Sequence, residues 1–271
     1  MIRVMIQGAA GRMGRMLVNE VLNNADMQLT GAVEVPQCPL LGQDAAAVAG
    51  RPACGVQIST DEDACLAAAD VAIAFTNSAS AAMELAAKAL QRNVALVIGT
   101  TGLTDADKAR LAEYASQGLR VVQSPNMSVG VNLLFALCAK VGKILDENYD
   151  IEIVEMHHNQ KKDAPSGTAV RLGEILCEAR GLNYAKDVRH GREGMVGART
   201  RHEIGMHALR GGDVVGDHTV IFATSGERVE LTHKASSRQT FSHGAILAAR
   251  YLVNAAPGVY DMQDVLGLRS R

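Results

Sequence analysis

The sequence predicts an α/β fold, in which a Rossmann-like, doubly wound parallel sheet is joined to a second α+β domain with an open mixed or antiparallel sheet. In the first half of the 271 residues, short apolar runs alternate with Ala-rich helical stretches, which is typical of a parallel sheet covered by helices. These runs are continuously apolar, as expected for strands buried on both faces. After Pro125 several predicted strands alternate apolar and polar residues, which indicates a sheet with one solvated face.

In the first half, each predicted strand is a compact apolar run that ends in turn residues. The strands are Ile2–Gln7, Gln28–Val35, Asp70–Phe75, Val94–Ile98 and Leu119–Gln123, with a shorter one near Val56–Ile58. The predicted helices run from a glycine-rich turn to about Asn23, and over Ser78–Gln91 and Thr104–Ser116. Asp61 and Thr104 carry side chains that can cap helix N-termini.

The second half opens with a predicted helix over Val129–Leu145. The segments that follow are strands at Asp150–His157, Glu203–Arg210, Thr219–Thr224 and Arg228–Lys234, a helix at Ala169–Arg180 and a long loop at Lys186–Arg201. We expect an antiparallel sheet here, because Val229, Leu231 and His233 share one face of their strand. A last helix, Phe241–Asn254, is expected to return to the first domain.

The change of pattern after Pro125 and the returning helix together predict two domains. Residues 1–127, joined by 239–271, form the expected dinucleotide-binding domain. Residues 128–238 form the expected domain for substrate binding and oligomerisation.

The composition excludes several classes of partner. Of all residues 48% are hydrophobic, none is Trp, and the formal net charge is -2. The chain therefore has no basic field for nucleic acid or a membrane surface, and no apolar run approaches the ~18 residues of a membrane span. The five cysteines are scattered and form no CxxC pair, which favours reduced thiols in a cytoplasmic protein.

A glycine-rich turn, Gly8–Gly14 (GAAGRMG), lies between the first predicted strand and the first helix. N–H groups at a helix start bind a pyrophosphate, and glycine permits its close approach. Glu34, near the end of the second strand, can accept hydrogen bonds from an adenosine ribose. Because this carboxylate repels a 2′-phosphate and Val35 adds no positive charge, NADH is the predicted cofactor, with NADPH as second candidate. The alternative is a tight turn without a ligand.

Two further small-residue loops follow later strands. Gly99–Gly102 (GTTG) follows the strand Val94–Ile98, and Ser124–Met127 (SPNM) follows the next one. Ligands of open α/β sheets bind outside the carboxyl ends of the strands, so both loops are predicted to line the cofactor path. An ordinary loop is the alternative for GTTG.

The stretch from residue 155 to residue 169, EMHHNQKKDAPSGTA, gathers imidazoles, ammonium groups and a small-residue turn. If the strand keeps a period of two, Glu155 and His157 share one face while His158 points to the other. Because histidine is suited to proton transfer near neutral pH, this end of the strand is predicted to carry acid–base chemistry.

The turn that follows is predicted to open a helix at Ser166-Gly167-Thr168. Its N–H groups, with the ammonium of Lys161 nearby, form an anion site that suits a small carboxylated substrate. A solvated polar loop is the alternative. No metal site is predicted, because adjacent histidines diverge on a strand and no third ligand stands at metal spacing.

These segments together resemble the dihydrodipicolinate reductase family over almost the whole chain. The resemblance rests above all on Glu155–Thr168, and further on GAAGRMG, GTTG, Asn126–Asn132 (NMSVGVN), Gly212–Thr219 (GDVVGDHT) and Thr232–Arg238 (THKASSR). It implies a homotetrameric enzyme of lysine and diaminopimelate biosynthesis. In such an enzyme a reduced nicotinamide delivers hydride to a cyclic, imine-containing dicarboxylate, and tetrahydrodipicolinate forms with loss of water.

The resemblance also implies roles for single residues. His157 becomes the proton donor or acceptor and Lys161 the proton donor. Substrate carboxylates are expected at His158, at Ser166, Gly167 and Thr168, and at Arg238. The expected cofactor contacts are Gly8, Ala9, Ala10, Gly11, Arg12, Met13, Glu34, Gly99, Thr100, Thr101, Ser124, Pro125, Asn126 and Met127.

The chain departs from the family pattern at a few positions. Lys162 adds a second ammonium beside Lys161, so which of the two reaches substrate is open. Val35 stands where some members carry a basic residue. Two other functions fit part of the pattern: a dehydrogenase of another small imino or oxo acid, and an NADH-binding redox sensor.

Overall fold

The computed structural model describes residues 1–269, which form two compact units. The first unit is Met1–Val129 together with the C-terminal part of the chain from Gln239 onward, and the second is Gly130–Arg238. Ser270 and Arg271, the end of the predicted segment 239–271, lie outside the described residues.

Strands and helices alternate along most of the described chain. The strands are β1 (Ile2–Gln7), β2 (Met27–Val33), β3 (Ile58–Ser59), β4 (Val71–Ala74), β5 (Ala95–Ile98), β6 (Arg120–Gln123), β7 (Asp150–His157), β8 (Val188–His190), β9 (Ile204–Arg210), β10 (Gly216–Thr224), β11 (Glu227–Ala235) and β12 (Gly258–Tyr260). The helices are α1 (Arg12–Asn23), α2 (Ala45–Val48), α3 (Glu62–Ala67), α4 (Ala79–Gln91), α5 (Asp105–Ser116), α6 (Val129–Ile144), α7 (Gly167–Arg180), α8 (Tyr184–Asp187), α9 (Gln239–Val253) and α10 (Met262–Val265). Within residues 1–269, no helix combines the length and the apolar character that crossing a lipid bilayer requires.

The first unit contains a parallel, doubly wound sheet, as predicted. Its seven strands lie in the order β12-β6-β5-β4-β1-β2-β3, and every neighbouring pair is parallel. Strand order reverses between β1 and β4, which is where open α/β sheets bind their ligands. The sequence did not predict the edge strand β12, which has only three residues.

Helices cover both faces of this sheet because its strands are apolar on both sides. On β1, Val4 and Ile6 contribute to a core with α1 and α9, whereas Met5 points into a second core with α4 and α5. The last helix, α9, packs in the core of the first unit. The two N-cap predictions are confirmed: Asp61 accepts from the Ala64 amide, and Thr104 forms a capping box with Asp107.

The second unit contains a five-stranded sheet in the order β11-β10-β7-β9-β8. The prediction of a mixed or antiparallel open sheet is confirmed. β10 pairs antiparallel with its neighbours β11 and β7. The pairs β7–β9 and β8–β9 are parallel, so the sheet is mixed. The chain runs from β7 to β8 through α7 and α8, and from β8 to β9 through residues 191–203, which contain no helix or strand. Connections of this length allow neighbouring strands to run parallel.

The predicted loop Lys186–Arg201 was partly wrong. Its first residues end α8 and form β8, which pairs with β9 from Val188 to His190. Three residues rich in Arg and His carry too weak an apolar pattern to predict a strand, and pairing with a neighbour stabilises them instead. The remaining residues, from Gly191 onward, contain no helix or strand.

One face of the second sheet packs against α6 and α7. Ile151 and Ile153 of β7 belong to this core, together with Phe135 of α6 and Leu172 of α7. Glu155 and His157 follow on the same face of β7, because successive residues of a strand alternate between faces. Glu152 points to the opposite face of β7. Among the described residues, the core that contains α6 and α7 includes no residue from that face of β7.

Candidate active site

The turn between β1 and α1 requires glycine for steric reasons. Gly8 has a φ of +82°, and a Cβ there would lie 3.0 Å from the carbonyl oxygen of Phe75. A Cβ at Gly14 would lie only 2.0 Å from the carbonyl oxygen of Gly8. A side chain at Gly14 would therefore push α1 away from the end of β1, and a side chain at Gly8 would press on the backbone that follows β4.

The start of α1 offers backbone donors to an anion. Its N-cap is Gly11, which has no side chain to occupy the first amides, and its first turn contains no acidic residue. The helix dipole adds positive potential at this end. The predicted contacts Gly8 to Met13 all lie in this turn and fit the pyrophosphate of a dinucleotide.

Glu34 lies beside the same turn. Its Oε1 accepts from the Ala10 amide at 2.9 Å, and its Oε2 accepts from the Val35 amide at 3.2 Å. The side chain of Val35 is 59% exposed and brings no charge. The predicted ribose acceptor and the predicted phosphate-binding turn are thus in direct contact.

The two later loops follow β5 and β6 at the same edge of the sheet. A Cβ at Gly99 would lie 2.1 Å from the ring of Phe75, so the glycine leaves room for that ring. The Oγ1 of buried Thr100 accepts from the Thr76 amide at 3.1 Å, and Thr101 beside it is exposed. The sequence analysis did not predict Phe75 and Thr76 as site residues, although Phe75 ends a predicted strand and Thr76 follows it.

The SPNM segment after β6 is held by its own polar atoms. The Ser124 hydroxyl donates to the Asn126 carbonyl at 2.9 Å, and the Asn126 side chain accepts from the Ser128 amide at 2.8 Å. Met127 is buried in the first core and Pro125 is exposed. These contacts fix the loop at the carboxyl end of β6.

In the second unit, the buried carboxylate of Glu155 joins three elements. Arg210 of β9 donates to both oxygens, at 2.8 and 2.9 Å, and His157 Nδ1 lies 2.6 Å from Oε2. The Ser166 amide, at the start of α7, donates to Oε1 at 3.0 Å. We call these four residues, Glu155, His157, Ser166 and Arg210, the Glu155 network.

The contacts of Glu155 keep it ionised although its side chain is 0% exposed. Burial by itself raises the pKa of this carboxyl group. Hydrogen bonds from Arg210, His157 and the Ser166 amide outweigh burial and bring the pKa of Glu155 below its ordinary value.

His218 of β10 lies beside the Glu155 network. Its ring meets that of His157 edge to face, with centroids 5.2 Å apart, and its Nε2 lies 2.9 Å from the Ser166 hydroxyl. Burial, and then the neighbouring His157, lower the pKa of His218 to about 3. His218 is therefore neutral at physiological pH, and its buried Nδ1 has no partner within the described residues.

The backbone amide and the hydroxyl of Ser166 both form hydrogen bonds within the protein. Its amide is bound by Glu155, and its hydroxyl caps α7 by accepting from the Ala169 amide at 3.2 Å. The Ser166 amide is therefore not free to bind a substrate carboxylate, in contrast to the predicted anion site. Gly167, in contrast, is exposed, and a Cβ added there would meet nothing within 4 Å.

The two lysines after β7 differ in their surroundings. The ammonium of Lys161 binds both carboxylate oxygens of Asp163, at 2.9 and 2.8 Å, and its side chain is 19% exposed. Lys162 is exposed and forms no ion pair with any described residue. His158 comes directly after β7 and donates its backbone N–H to the Val214 carbonyl at 2.7 Å.

Arg238 is the last residue of the second unit. Among the described residues, no hydrogen bond or ion pair joins it to the Glu155 network. It is half-buried, and it forms no ion pair among residues 1–269. His233 of β11 packs on α6, where a Cβ at Gly130 would lie 2.7 Å from its ring. Burial lowers the pKa of His233.

The sequence pattern did not single out Arg210 or His218, and it assigned no role to Glu155. All three carried some signal, because Glu155 opens the specific motif and His218 lies in GDVVGDHT. Arg210 ends a predicted strand, where only pairing with β7 could reveal that its side chain reaches Glu155. Within the described residues, no group of three or more His, Cys, Asp or Glu side chains could hold a metal ion.

Comparison with known families gives a consistent assignment. The model of the dihydrodipicolinate reductase N-terminus matches residues 2–127, and that of the C-terminus matches residues 130–266. The chain belongs to the dihydrodipicolinate reductase family. The N-terminal match contains the phosphate-binding turn, and the C-terminal match contains the Glu155 network.

Curated relatives and a solved structure are similar over their full length. A 4-hydroxy-tetrahydrodipicolinate reductase of Syntrophotalea carbinolica is 51% identical over 99% of this chain and 100% of its own, and one of Cupriavidus necator is 48% identical over the same shares. The dipicolinate-bound dihydrodipicolinate reductase of Paenisporosarcina sp. TG-14 has a TM-score of 0.77 and 27% identity, covering 97% of this chain and 98% of its own.

A more distant structure shares the fold alone. An amine dehydrogenase of Mycobacterium smegmatis aligns with a TM-score of 0.63 and 14% identity over 100% of this chain and 97% of its own. Membership of the dihydrodipicolinate reductase family makes this chain an NAD(P)H-dependent oxidoreductase. The nucleotide-binding fold of the first unit agrees with that class of reaction.

Proposed function

We propose that this chain reduces the cyclic, imine-containing dicarboxylate of lysine and diaminopimelate biosynthesis to tetrahydrodipicolinate. The observation that carries the proposal is the end of β7 with the loop that follows it. The buried carboxylate of Glu155 joins the His157 imidazole to the start of α7, and Asp163 binds the half-buried ammonium of Lys161 in the same loop. Family membership and the full-length match to named reductases support the same reaction.

The substrate is a dianion, and the second unit offers cations and a helix N-terminus to hold it. Gly167 and Thr168 begin α7, where the dipole favours negative charge. We assign the substrate carboxylates to these amides, to His158 and to Arg238. We assign Ser166 the role of anchoring the helix start to Glu155, because its own amide and hydroxyl are engaged.

His157 and Lys161 handle protons in this proposal. The net reaction adds one hydride and one proton to the substrate and releases one water. As hydride arrives, electrons move onto the substrate, so a cationic, proton-bearing side chain beside it lowers the barrier. Lys161 donates a proton, and His157 donates or accepts one.

A reduced nicotinamide dinucleotide, when bound, supplies the hydride. The turn Gly8–Met13 would hold its pyrophosphate, and Glu34 its adenosine ribose. The GTTG and SPNM loops, including Gly99, Thr100 and Thr101, would line its path. The steric demand at Gly8 and the uncapped start of α1 fit such a group.

We further propose that NADH is preferred over NADPH. Glu34 lies against the phosphate-binding turn, and a 2′-phosphate at the ribose would meet its negative charge. Initial rates should give a kcat/KM at least about tenfold higher for NADH, since about 1.4 kcal/mol of repulsion suffices for that ratio. Glu34→Gln should lower the ratio of kcat/KM for NADH to kcat/KM for NADPH. A wild-type enzyme that prefers NADPH would refute the proposal.

We also propose a homotetramer in the cytoplasm. The second sheet ends in the exposed edge strand β11, and apolar side chains such as Leu209 and Val229 are 48% and 38% exposed on its strands. Exposed edges and apolar surface of this kind favour burial against further copies. All five cysteines are free, as in a reducing compartment. Light scattering on the purified chain would measure the number of subunits.

The decisive experiment couples the chain to the preceding synthase. Aspartate semialdehyde, pyruvate and that synthase generate the substrate, and NADH oxidation is followed by absorbance. Turnover that requires the synthase supports the proposal. Turnover with simple keto acids instead would indicate another dehydrogenase, and tight NADH binding without turnover would indicate a sensor.

A further inference from the structure

His157 is hydrogen-bonded to a carboxylate whose position is fixed by several other hydrogen bonds. Glu155 Oε2 lies 2.6 Å from His157 Nδ1, and the same carboxylate accepts from Arg210 and from the Ser166 amide. These donors belong to β9 and to the start of α7, so two separate elements fix the position of the acceptor. The imidazole orientation is therefore set from outside β7.

The ionisation of Glu155 decides which nitrogen of His157 carries hydrogen. An ionised carboxylate only accepts hydrogen bonds, so Nδ1 must donate at 2.6 Å. The hydrogen bond of one ring nitrogen determines the state of the other. His157 Nε2 is thus the nitrogen that can lose and regain a proton.

The surroundings of Nε2 leave it accessible. A Cβ at Gly216 would lie 3.0 Å from Nε2, so the absence of a side chain there keeps space beside the nitrogen. No hydrogen bond of His157 Nε2 is formed within residues 1–269. Gly216 of β10 therefore leaves the Nε2 edge of the His157 ring open.

We infer that Glu155 is the positioning residue of His157, which it holds with Nδ1 protonated so that Nε2 exchanges the proton of the reaction. The inference rests on the proposed function and deepens it. When the imidazolium acts as donor, the Nε2–H bond breaks and the substrate gains the proton. The ring becomes neutral with Nδ1–H retained, and Glu155 stays ionised throughout.

Other titratable groups near this pair have distinguishable effects. His218 on β10 is in ring contact with His157, and Arg210 on β9 forms an ion pair with Glu155. Charges that act on His218 include those of Glu155, His233 and Lys161. Because His218 stays neutral above about pH 3, it does not produce a rate change between about pH 5 and 9.

The test replaces Glu155 and compares it with a matched control on the same strand. Glu155→Gln removes the charge with little change of shape. Glu152→Gln makes the same change in a second carboxylate of β7, which also accepts from an arginine and a histidine. For both variants, kcat and kcat/KM are measured from about pH 5 to 9 in the coupled assay, and NADH affinity is measured by fluorescence.

The expected results separate positioning from general damage. Glu155→Gln should lower kcat by about 10²-fold and change the shape of the pH–rate profile, because the carboxylate that fixes the ring of His157 is lost. NADH affinity should stay unchanged. Glu152→Gln should keep kcat within about threefold of wild type and leave the pH–rate profile unchanged. A wild-type pH–rate profile in Glu155→Gln would overturn the inference.

A second variant and a second measurement cover a failure to fold. Glu155→Gln leaves Arg210 without its buried acceptor, so Glu155→Gln/Arg210→Gln, which removes both charges, is prepared in parallel and should show a similar loss of kcat. Nitrogen-15 NMR of the wild type, with His157→Gln for assignment, should show neutral His157 with hydrogen on Nδ1. Hydrogen on Nε2 instead would refute the inference. Absence of wild-type turnover would refute the proposed function and leave this NMR result as the separate test.

Discussion

Two glutamates of β7 use the same chemistry on opposite faces of one sheet. Glu155 binds Arg210 and His157, and Glu152 binds Arg192 through two hydrogen bonds of 2.7 and 3.0 Å. Glu152 also accepts from His207 at 2.7 Å and pairs with Arg199 at 3.4 Å. We call Glu152, Arg192, Arg199 and His207 the Glu152 network.

The difference lies in burial and in what each network holds. Glu155 is 0% exposed and fixes a helix start and an imidazole, whereas Glu152 is 22% exposed and fixes the segment after β8. For both carboxyl groups burial raises the pKa, and bonds from Arg and His bring it below the ordinary value. The same ion pair thus stabilises a fold on one face and, we propose, orients a reaction on the other.

The largest expected effect concerns the loop that follows β7 on the Glu155 side. Lys161→Ala should lower kcat at least about tenfold while NADH affinity stays nearly unchanged, because a charge-assisted contact to the transition state is lost. Lys162→Ala, which alters the exposed neighbour, should change kcat by less than about twofold. Equal losses would mean that Lys161 is not the proton donor.

A second prediction compares the two arginines by stability. Arg210→Met leaves a fully buried carboxylate without its charged partner and should lower the free energy of unfolding by about 3 kcal/mol. Arg192→Met should lower it by only about 1 kcal/mol, because Glu152 is partly exposed and keeps Arg199 and His207. Urea unfolding at neutral pH measures both, and similar losses would contradict the comparison.

A third prediction uses pH and the buried histidine beside the Glu155 network. The pKa of His218 is about 3 in the folded chain against an ordinary 6.5, so the unfolded chain binds more protons between these values. The contribution of neutral His218 to the free energy of unfolding is therefore fully present above about pH 6.5. It falls by up to about 1.4 kcal/mol per pH unit as the pH decreases toward 3.

Urea unfolding between about pH 7 and 5 tests this dependence. His218→Gln should flatten the acid side of the stability profile. His202→Gln changes an exposed histidine and serves as the control. An unchanged slope in His218→Gln would mean that other groups cause the acid sensitivity.

The smallest expected effect concerns the glycine that faces each network. Gly216→Ala brings a methyl group 3.0 Å from His157 Nε2 and should lower kcat by about threefold to tenfold. Gly205→Ala places one 1.8 Å from Glu152 Oε2, so it should lower the free energy of unfolding by about 1–3 kcal/mol and leave kcat near wild type. A variant Gly216→Ala with full activity would show that Nε2 is not the reacting edge.

The sequence by itself determined the features that depend on local pattern. Continuous apolar runs predicted the parallel sheet, and the period of two on β7 predicted that Glu155 and His157 share a face. The glycines at Gly8 and Gly14 predicted the tight start of α1. Each of these follows from residues that are close together in the chain.

Only the tertiary structure decided the partners of Glu155. Arg210 is 55 residues from Glu155 along the chain, and the register of β7 with β9 brings it within 2.8 Å. The parallel pairing of β8, the contact of His218 with Ser166 and the loss of the Ser166 amide to Glu155 were likewise set by packing. Long-range register depends on how whole strands bury their faces, and no short pattern of residues specifies it.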